Sequence, residues 1–234
     1  MSSRHRLEEL LQKRQVWKAG QGDVHRRVLP TGFSELDPVL GGGWPAGRLI
    51  ELHVDCHGIG ELRLIMPALV ELIGAGDQSG GRCKPSRGGR SSHQWIMLVA
   101  PPYVPYAPAF AWQGLDMSRL LVVRCRRQAD VLWASEQALQ SQTCAAVLAW
   151  CDGTEDRALR RLQLAAEANG SCLLVLFRPL RFARQRSPAT LRIRLLPKRP
   201  GLLHLQIFKL RGGRPRSLTL DVGLAGAEPG ARHG

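Results

Sequence analysis

"VDCHGIGELRL", Val54 to Leu64, is the stretch on which the fold turns. Before it, "RLIELHV" (Arg48 to Val54) reads as a strand; after it, Leu62, Ile65, Met66, Leu69 and Ile73 mark one face of a helix. A strand, a glycine-containing loop and a helix in succession make a site for nucleotide phosphates, because the loop N–H groups and the helix N-terminus point at the anion. The working version, GxxxxGK followed by Ser or Thr, adds a lysine for the β- and γ-phosphates and a hydroxyl for Mg²⁺. With Gly60 as the second glycine, the first falls on Asp55, the lysine on Glu61 and the hydroxyl on Leu62, so only Gly58 and Gly60 remain as glycines. A carboxylate about 4 Å from a phosphate charge repels it by about 4 kcal/mol at an effective dielectric of about 20, where a lysine attracts by as much. The loop keeps the frame of a phosphate site without its chemistry.

Outward from the loop the same alternation repeats. "WIMLVAP" (Trp95 to Pro101), "RLLVVRC" (Arg119 to Cys125), "AAVLAWC" (Ala145 to Cys151) and "SCLLVLF" (Ser171 to Phe177) are apolar runs of the kind buried on both faces of a parallel sheet. Helical spacing lies between them, over Gln128 to Ser141 and Glu155 to Ala168. The pattern predicts an α/β fold with a mostly parallel central sheet, and "TLRIRLLP", "LLHLQIFKLRGG" and "RPRSLTLDV" add antiparallel C-terminal strands. Leu7, Leu10, Leu11 and Trp17 predict a short N-terminal helix, and "TGFSELDPVLGGGWPAG" one helical turn followed by a glycine-rich corner. The expected organisation is an N-terminal helix and linker over 1–27, one domain over 28–222 with a flexible basic insertion at 76–94, and a disordered tail over 223–234.

The rest of a nucleotidase site is missing too. The "AAVLAW" strand ends on Trp150 where an Asp would help hold Mg²⁺, with Asp152 two residues late. After "WIMLVA", where a Glu would activate water, the chain reads Pro101, Pro102, Tyr103. No catalytic residue, cofactor or metal is expected: His53 and His57 lie across a strand and a loop, not on one helical face. "PPYVPYAP" (Pro101 to Pro108) reads as a stiff loop over the vacated site or as a rigid partner-binding surface.

At 234 residues, 44% apolar and 22% charged, the chain has the composition of a globular domain, with no run near the roughly 20 apolar residues of a membrane span. "MSSRHRLEELLQKRQVW" has no apolar core of signal-peptide length, so a cytoplasmic protein is expected. Six cysteines without a CxxC pair suit reduced, structural thiols. The net charge of +14 is concentrated late: between Glu167 and Asp221 every Lys, Arg, Asp or Glu is basic, from Arg178 to Arg216. Such a one-sign stretch implies a polyanion or an acidic protein partner.

The order of elements resembles the RecA and RadA superfamily of recombinase-like ATPases, on "TGFSELDPVLGGGWPAGRLIEL" and "GLDMSRLLVVR". Within it, "GGGWPAGRLIEL", "GIGELRLIMPAL", "VAPPYVPYAPA", "ADVLWASEQAL" and "DRALRRLQLAAEANG" closely resemble the ImuA family of bacterial mutagenesis cassettes. The resemblance implies a RecA-like fold and a non-polymerase accessory of SOS-induced translesion DNA synthesis. Its implied partners are ImuB, a catalytically inactive Y-family polymerase relative, RecA, and an error-prone replicative-type DNA polymerase; nucleoid association goes with them. A related resemblance, to the SOS cell-division inhibitors, implies a septation GTPase as target instead.

On a RecA-like template "RPLRFARQRSPA" corresponds to the DNA-facing loop of a recombinase. Its Arg178, Arg181, Arg184 and Arg186 suit phosphates and Phe182 suits a base, with Lys209, Arg211 and Arg214 further along the basic stretch. Single-stranded DNA, an acidic partner protein and a solvated basic edge all remain open as readings. The stripe Leu7, Leu10, Leu11 and Trp17 has two: docking on a partner, or packing on its own domain.

Overall fold

The computed structural model describes residues 27–74 and 94–223. The expected N-terminal helix with its docking stripe Leu7, Leu10, Leu11 and Trp17, almost all of the 76–94 insertion, and the tail beyond Gly223 lie outside the described residues.

In chain order the elements are β1 (Val28–Leu29), α1 (Asp37–Leu40), β2 (Trp44–Pro45), β3 (Arg48–Val54), α2 (Glu61–Gly74), β4 (Trp95–Val99), α3 (Ala107–Trp112), β5 (Leu120–Val123), α4 (Gln128–Ser141), β6 (Cys144–Trp150), α5 (Asp156–Asn169), β7 (Leu173–Pro179), β8 (Leu191–Arg199), β9 (Leu202–Leu210) and β10 (Arg216–Asp221). Among the described residues eight strands form one sheet in the order β10-β9-β8-β3-β7-β6-β4-β5. From β8 through to β5 all neighbours are parallel, and β9 and β10 continue the sheet antiparallel. This is the mostly parallel α/β architecture that the apolar runs predict.

Because successive strand residues face opposite sides, β3 and β7 each feed two cores. Ile50, Leu52, Val175 and Phe177 pack with α2 through Leu64, Ile65 and Leu69. Leu49, Leu174 and Leu176 pack on the other face with Val131 and Leu139 of α4 and Leu159 and Leu162 of α5. Three expectations change. The run "RLLVVRC" is not a doubly buried central strand: β5 ends the sheet with one neighbour among the described residues, leaving Val122 42% exposed. "PPYVPYAP" is a loop only as far as Tyr106, after which α3 begins with Pro108 in its first turn, where the missing N–H costs nothing. β7 also runs past Phe177 to include Arg178 and Pro179, and that places a cation in the sheet.

Candidate functional site

The phosphate-loop frame is filled by its own side chain. Glu61, the first residue of α2, is 4% exposed. Its carboxylate accepts from the Gly58 N–H, at 2.9 Å to Oε1 and 3.1 Å to Oε2. Here an anion does sit on a loop N–H beside a helix N-terminus, as the frame requires, but the chain supplies it. His57 Nδ1 lies 3.8 Å from Glu61 Oε1, and the Arg63 guanidinium donates to the Gly223 carbonyl. Asp55 is exposed; Leu62 is half-buried against the core. Trp150, 7% exposed, stacks on Phe177 with ring centroids 4.7 Å apart at 19°. Beside it a cleft of about 310 Å³ is lined by Leu62, Met66, Leu98, Phe110 and Trp150, under Tyr103 and Tyr106. These residues do not fit a Mg-nucleotide: the Gly58 N–H is taken, the lysine and hydroxyl positions carry Glu and Leu, and an indole stands at the metal-ligand position.

A second site lies on the α4–α5 face of the sheet, two residues along β3 from Leu49, which those helices cover. Glu51 sits mid-strand in β3, between β7 and β8; His53 pairs with Arg178 in one ladder, and Glu51 with Arg192 in the other. The pleat therefore directs Glu51, His53, Arg178 and Arg192 to one side of the sheet. Glu51 Oε1 accepts from Arg178 Nη1 at 3.0 Å and from Ser187 Oγ at 2.6 Å; Oε2 accepts from Arg192 Nε at 2.7 Å and lies 3.1 Å from His53 Nε2. Burial by itself would raise the Glu51 carboxyl. The His53 contact, the two guanidinium charges and the Ser187 hydroxyl overcome that and bring it down to about 2. One carboxylate thus faces two buried guanidinium groups, a positive excess beneath the surface.

This geometry corrects the reading of Arg178 as a surface ligand. It is 0% exposed, bound to Glu51 and to Gln185 Oε1, and out of reach of a polyanion. Phe182 is half-buried, with the Arg178 guanidinium 5.4 Å and the Arg181 guanidinium 4.7 Å from its ring centroid, so it is already engaged by cations. Among the described residues the Nε atoms of Arg178 and Arg194 find no hydrogen-bond acceptor; both guanidinium groups lie over phenyl rings, Arg194 at 5.0 Å from the Phe208 centroid. Arg181, Arg184 and Arg186 are exposed on the β7–β8 crossover. Lys209 donates to the Ser187 carbonyl at 2.7 Å, which ties β9 to that crossover; burial, then Arg192, lowers its pKa. The Arg211 N–H donates to the Thr190 carbonyl at 2.9 Å, and Arg214 is exposed in the turn that follows. Lys209 and the Arg211 backbone thus join β9 to the crossover that carries Arg181, Arg184 and Arg186, and Arg178 supports that crossover from inside.

Sequence reasoning missed Glu51, Gln185, Ser187 and Arg192. A signal was present: a glutamate at the centre of an apolar run read as a buried strand has to find cations, and "LFRP" and "LRIR" offer arginines on neighbouring strands.

The sheet order, the strand–loop–helix frame and the helix-free crossover define an α/β protein of RecA-like architecture. No protein-family model matches the sequence. It is 30% identical over 225 residues to Protein ImuA of Caulobacter vibrioides, in two strains, across 86% of this chain and 86% of that one. The chain belongs to the ImuA family.

Proposed function

We propose that the chain is a non-catalytic accessory of SOS-induced, error-prone translesion DNA synthesis. In this reading it is an adaptor that works at the nucleoid with ImuB, the inactive Y-family polymerase relative, with RecA, and through them with an error-prone replicative-type polymerase. It meets single-stranded DNA through the basic residues of the crossover and the strand end tied to it, Arg181, Arg184, Arg186, Lys209, Arg211 and Arg214. The observation that carries the non-catalytic part is the Glu61 carboxylate on the Gly58 N–H, where a nucleotide phosphate would have to bind. Family membership supports the mutagenesis context, and the positive excess under the crossover supports a polyanion. No helix among the described residues is long and apolar enough to cross a membrane.

Titration of the purified protein against labelled single-stranded DNA at several salt concentrations, with phosphate release followed in the same tubes and the purified ImuB-like partner added in a second series, tests the reading. Salt-sensitive DNA binding, partner binding and no phosphate release are expected. Hydrolysis abolished by changing Asp152 or Glu155 would return the chain to the ATPases. Absence of DNA binding at low salt, with division arrested on expression, would move it to the septation inhibitors.

A further inference from the structure

Strands β7 and β8 both lie parallel to β3, so their connection must return from one end of the sheet to the other. It leaves at Pro179, opposite Val54, and re-enters where the Thr190 N–H donates to the Leu49 carbonyl at 2.9 Å. Such a crossover is usually built around a helix, whose backbone hydrogen bonds fix its shape. This one holds a single 3₁₀ turn, Leu180–Arg184, and is otherwise irregular. Side chains fix it instead. Ser187 Oγ donates to Glu51 at 2.6 Å and accepts from the Ala189 N–H at 3.1 Å. Arg178 donates to Gln185 Oε1 at 3.2 Å; Arg192 donates to the Gln185 carbonyl at 3.0 Å and to the Phe182 carbonyl at 3.3 Å. Both arginines are themselves held by Glu51, so the contacts to Phe182, Gln185 and Ser187 lead back to one buried carboxylate.

We propose that Glu51 is a positioning residue for the basic surface. Through Ser187, Arg178 and Arg192 it holds the crossover in the form that presents Arg181, Arg184 and Arg186 together, so that a single-stranded phosphodiester backbone meets an ordered row of cations. The inference rests on the proposed DNA-binding role. Its physical content is pre-organisation: a loop already ordered loses less entropy on binding than one that must be ordered by the ligand.

Charge and position make opposite predictions for Glu51→Gln. Removing a negative charge from beneath a basic surface should tighten polyanion binding if charge alone matters. Loss of positioning weakens it, by about threefold to tenfold, the scale of re-ordering one or two side chains, and gives a shallower salt slope because fewer phosphates are engaged at once. Ser187→Ala cuts the direct tie while leaving Glu51 with both arginines, and covers the case in which Glu51→Gln folds poorly. The experiment measures anisotropy of a labelled single-stranded oligonucleotide against salt for the full chain and both variants, together with amide hydrogen exchange over residues 180–187. Weaker binding, a shallower slope and faster exchange confined to 180–187 are expected. Equal or tighter binding with an unchanged slope, or unchanged exchange at 180–187, would overturn the proposal. If the unaltered chain binds no DNA while 180–187 still loosens in both variants, the DNA reading falls and Glu51 remains the residue that shapes the crossover.

Discussion

Two loops of this molecule are each governed by one buried glutamate, and the two carboxylates do opposite things. Glu61 reaches back three residues to an N–H of its own loop, so its effect is local: in the proposed reading it takes the place of an external anion. Glu51 takes hydrogen bonds from β7, β8 and the segment between them, so its effect is long-range: it gathers cations and leaves one in excess. The same functional group closes an anion site in one loop and underpins a cationic surface in the next. What decides the outcome is whether the carboxylate is outnumbered by donors that carry charge.

The most direct way to break that contrast is truncation. Glu51→Ala leaves two buried guanidinium groups without a counter-charge and is expected to lose about 3–5 kcal/mol in denaturant unfolding. Glu61→Ala removes one partly replaceable capping interaction, about 1 kcal/mol; equal losses would erase the distinction. Acid sharpens it next. The Glu51 carboxyl moves from 4.5 unfolded to about 2 folded, so the unfolded chain binds more protons between those values. The stabilisation is full above about 4.5 and disappears as the pH falls through about 2, about 3 kcal/mol in all. Glu51→Gln should flatten the unfolding free energy across that window, and a profile that matches the unaltered chain would count against the network.

Smaller effects separate surface from support. Changing Arg181, Arg184 and Arg186 to Ala together is expected to reduce the salt slope for single-stranded DNA by up to about 2, at about 0.7 for each phosphate no longer neutralised, with unfolding almost unchanged. Arg178→Ala should do the reverse, destabilising the fold first. Restoring the lysine and hydroxyl with Glu61→Lys and Leu62→Ser is expected to yield no phosphate release in a coupled assay, since Trp150 still stands where a metal ligand is needed. Smallest is thiol reactivity. Exposed Cys56 should alkylate readily at pH 8, while Cys151, whose thiol burial pushes up to about 12, should stay unmodified in the native protein by mass spectrometry.

Much of this architecture is legible in the chain, because it rests on local pattern. β3 and α4 begin and end where "RLIELHV" and the Gln128 to Ser141 periodicity place them, and the displaced lysine and hydroxyl are readable by spacing alone. Where reading fails, the cause is long-range. A proline after an arginine looks like the end of a strand, so Arg178 reads as loop, whereas the ladder with β3 carries on through Pro179. That single misplaced boundary turns a buried ion-pair partner into an apparent surface ligand. β5 looks identical to a central strand because periodicity records apolarity, and edge or centre is set by how many strands arrive beside it. The Glu51 partners could not be assigned without knowing which strands lie side by side, and the contact of Glu61 with Gly58, though only three residues long, turns on a side-chain direction that spacing does not give.

The separation of Glu51 from its partners also has a kinetic meaning. Arg178 lies 127 residues away in the chain and Arg192 lies 141 away. During synthesis β3 is complete long before either arginine exists, and its glutamate, with Arg48 at the strand's start, then keeps a mainly apolar segment charged and less prone to associate. Arg192 can complete the network only once β8, the last parallel strand, docks beside β3, and so after a long loop has closed. Mutations within it should therefore accelerate unfolding and leave the refolding rate nearly unchanged, so that this cluster sets how long the native state lasts more than how quickly it is reached.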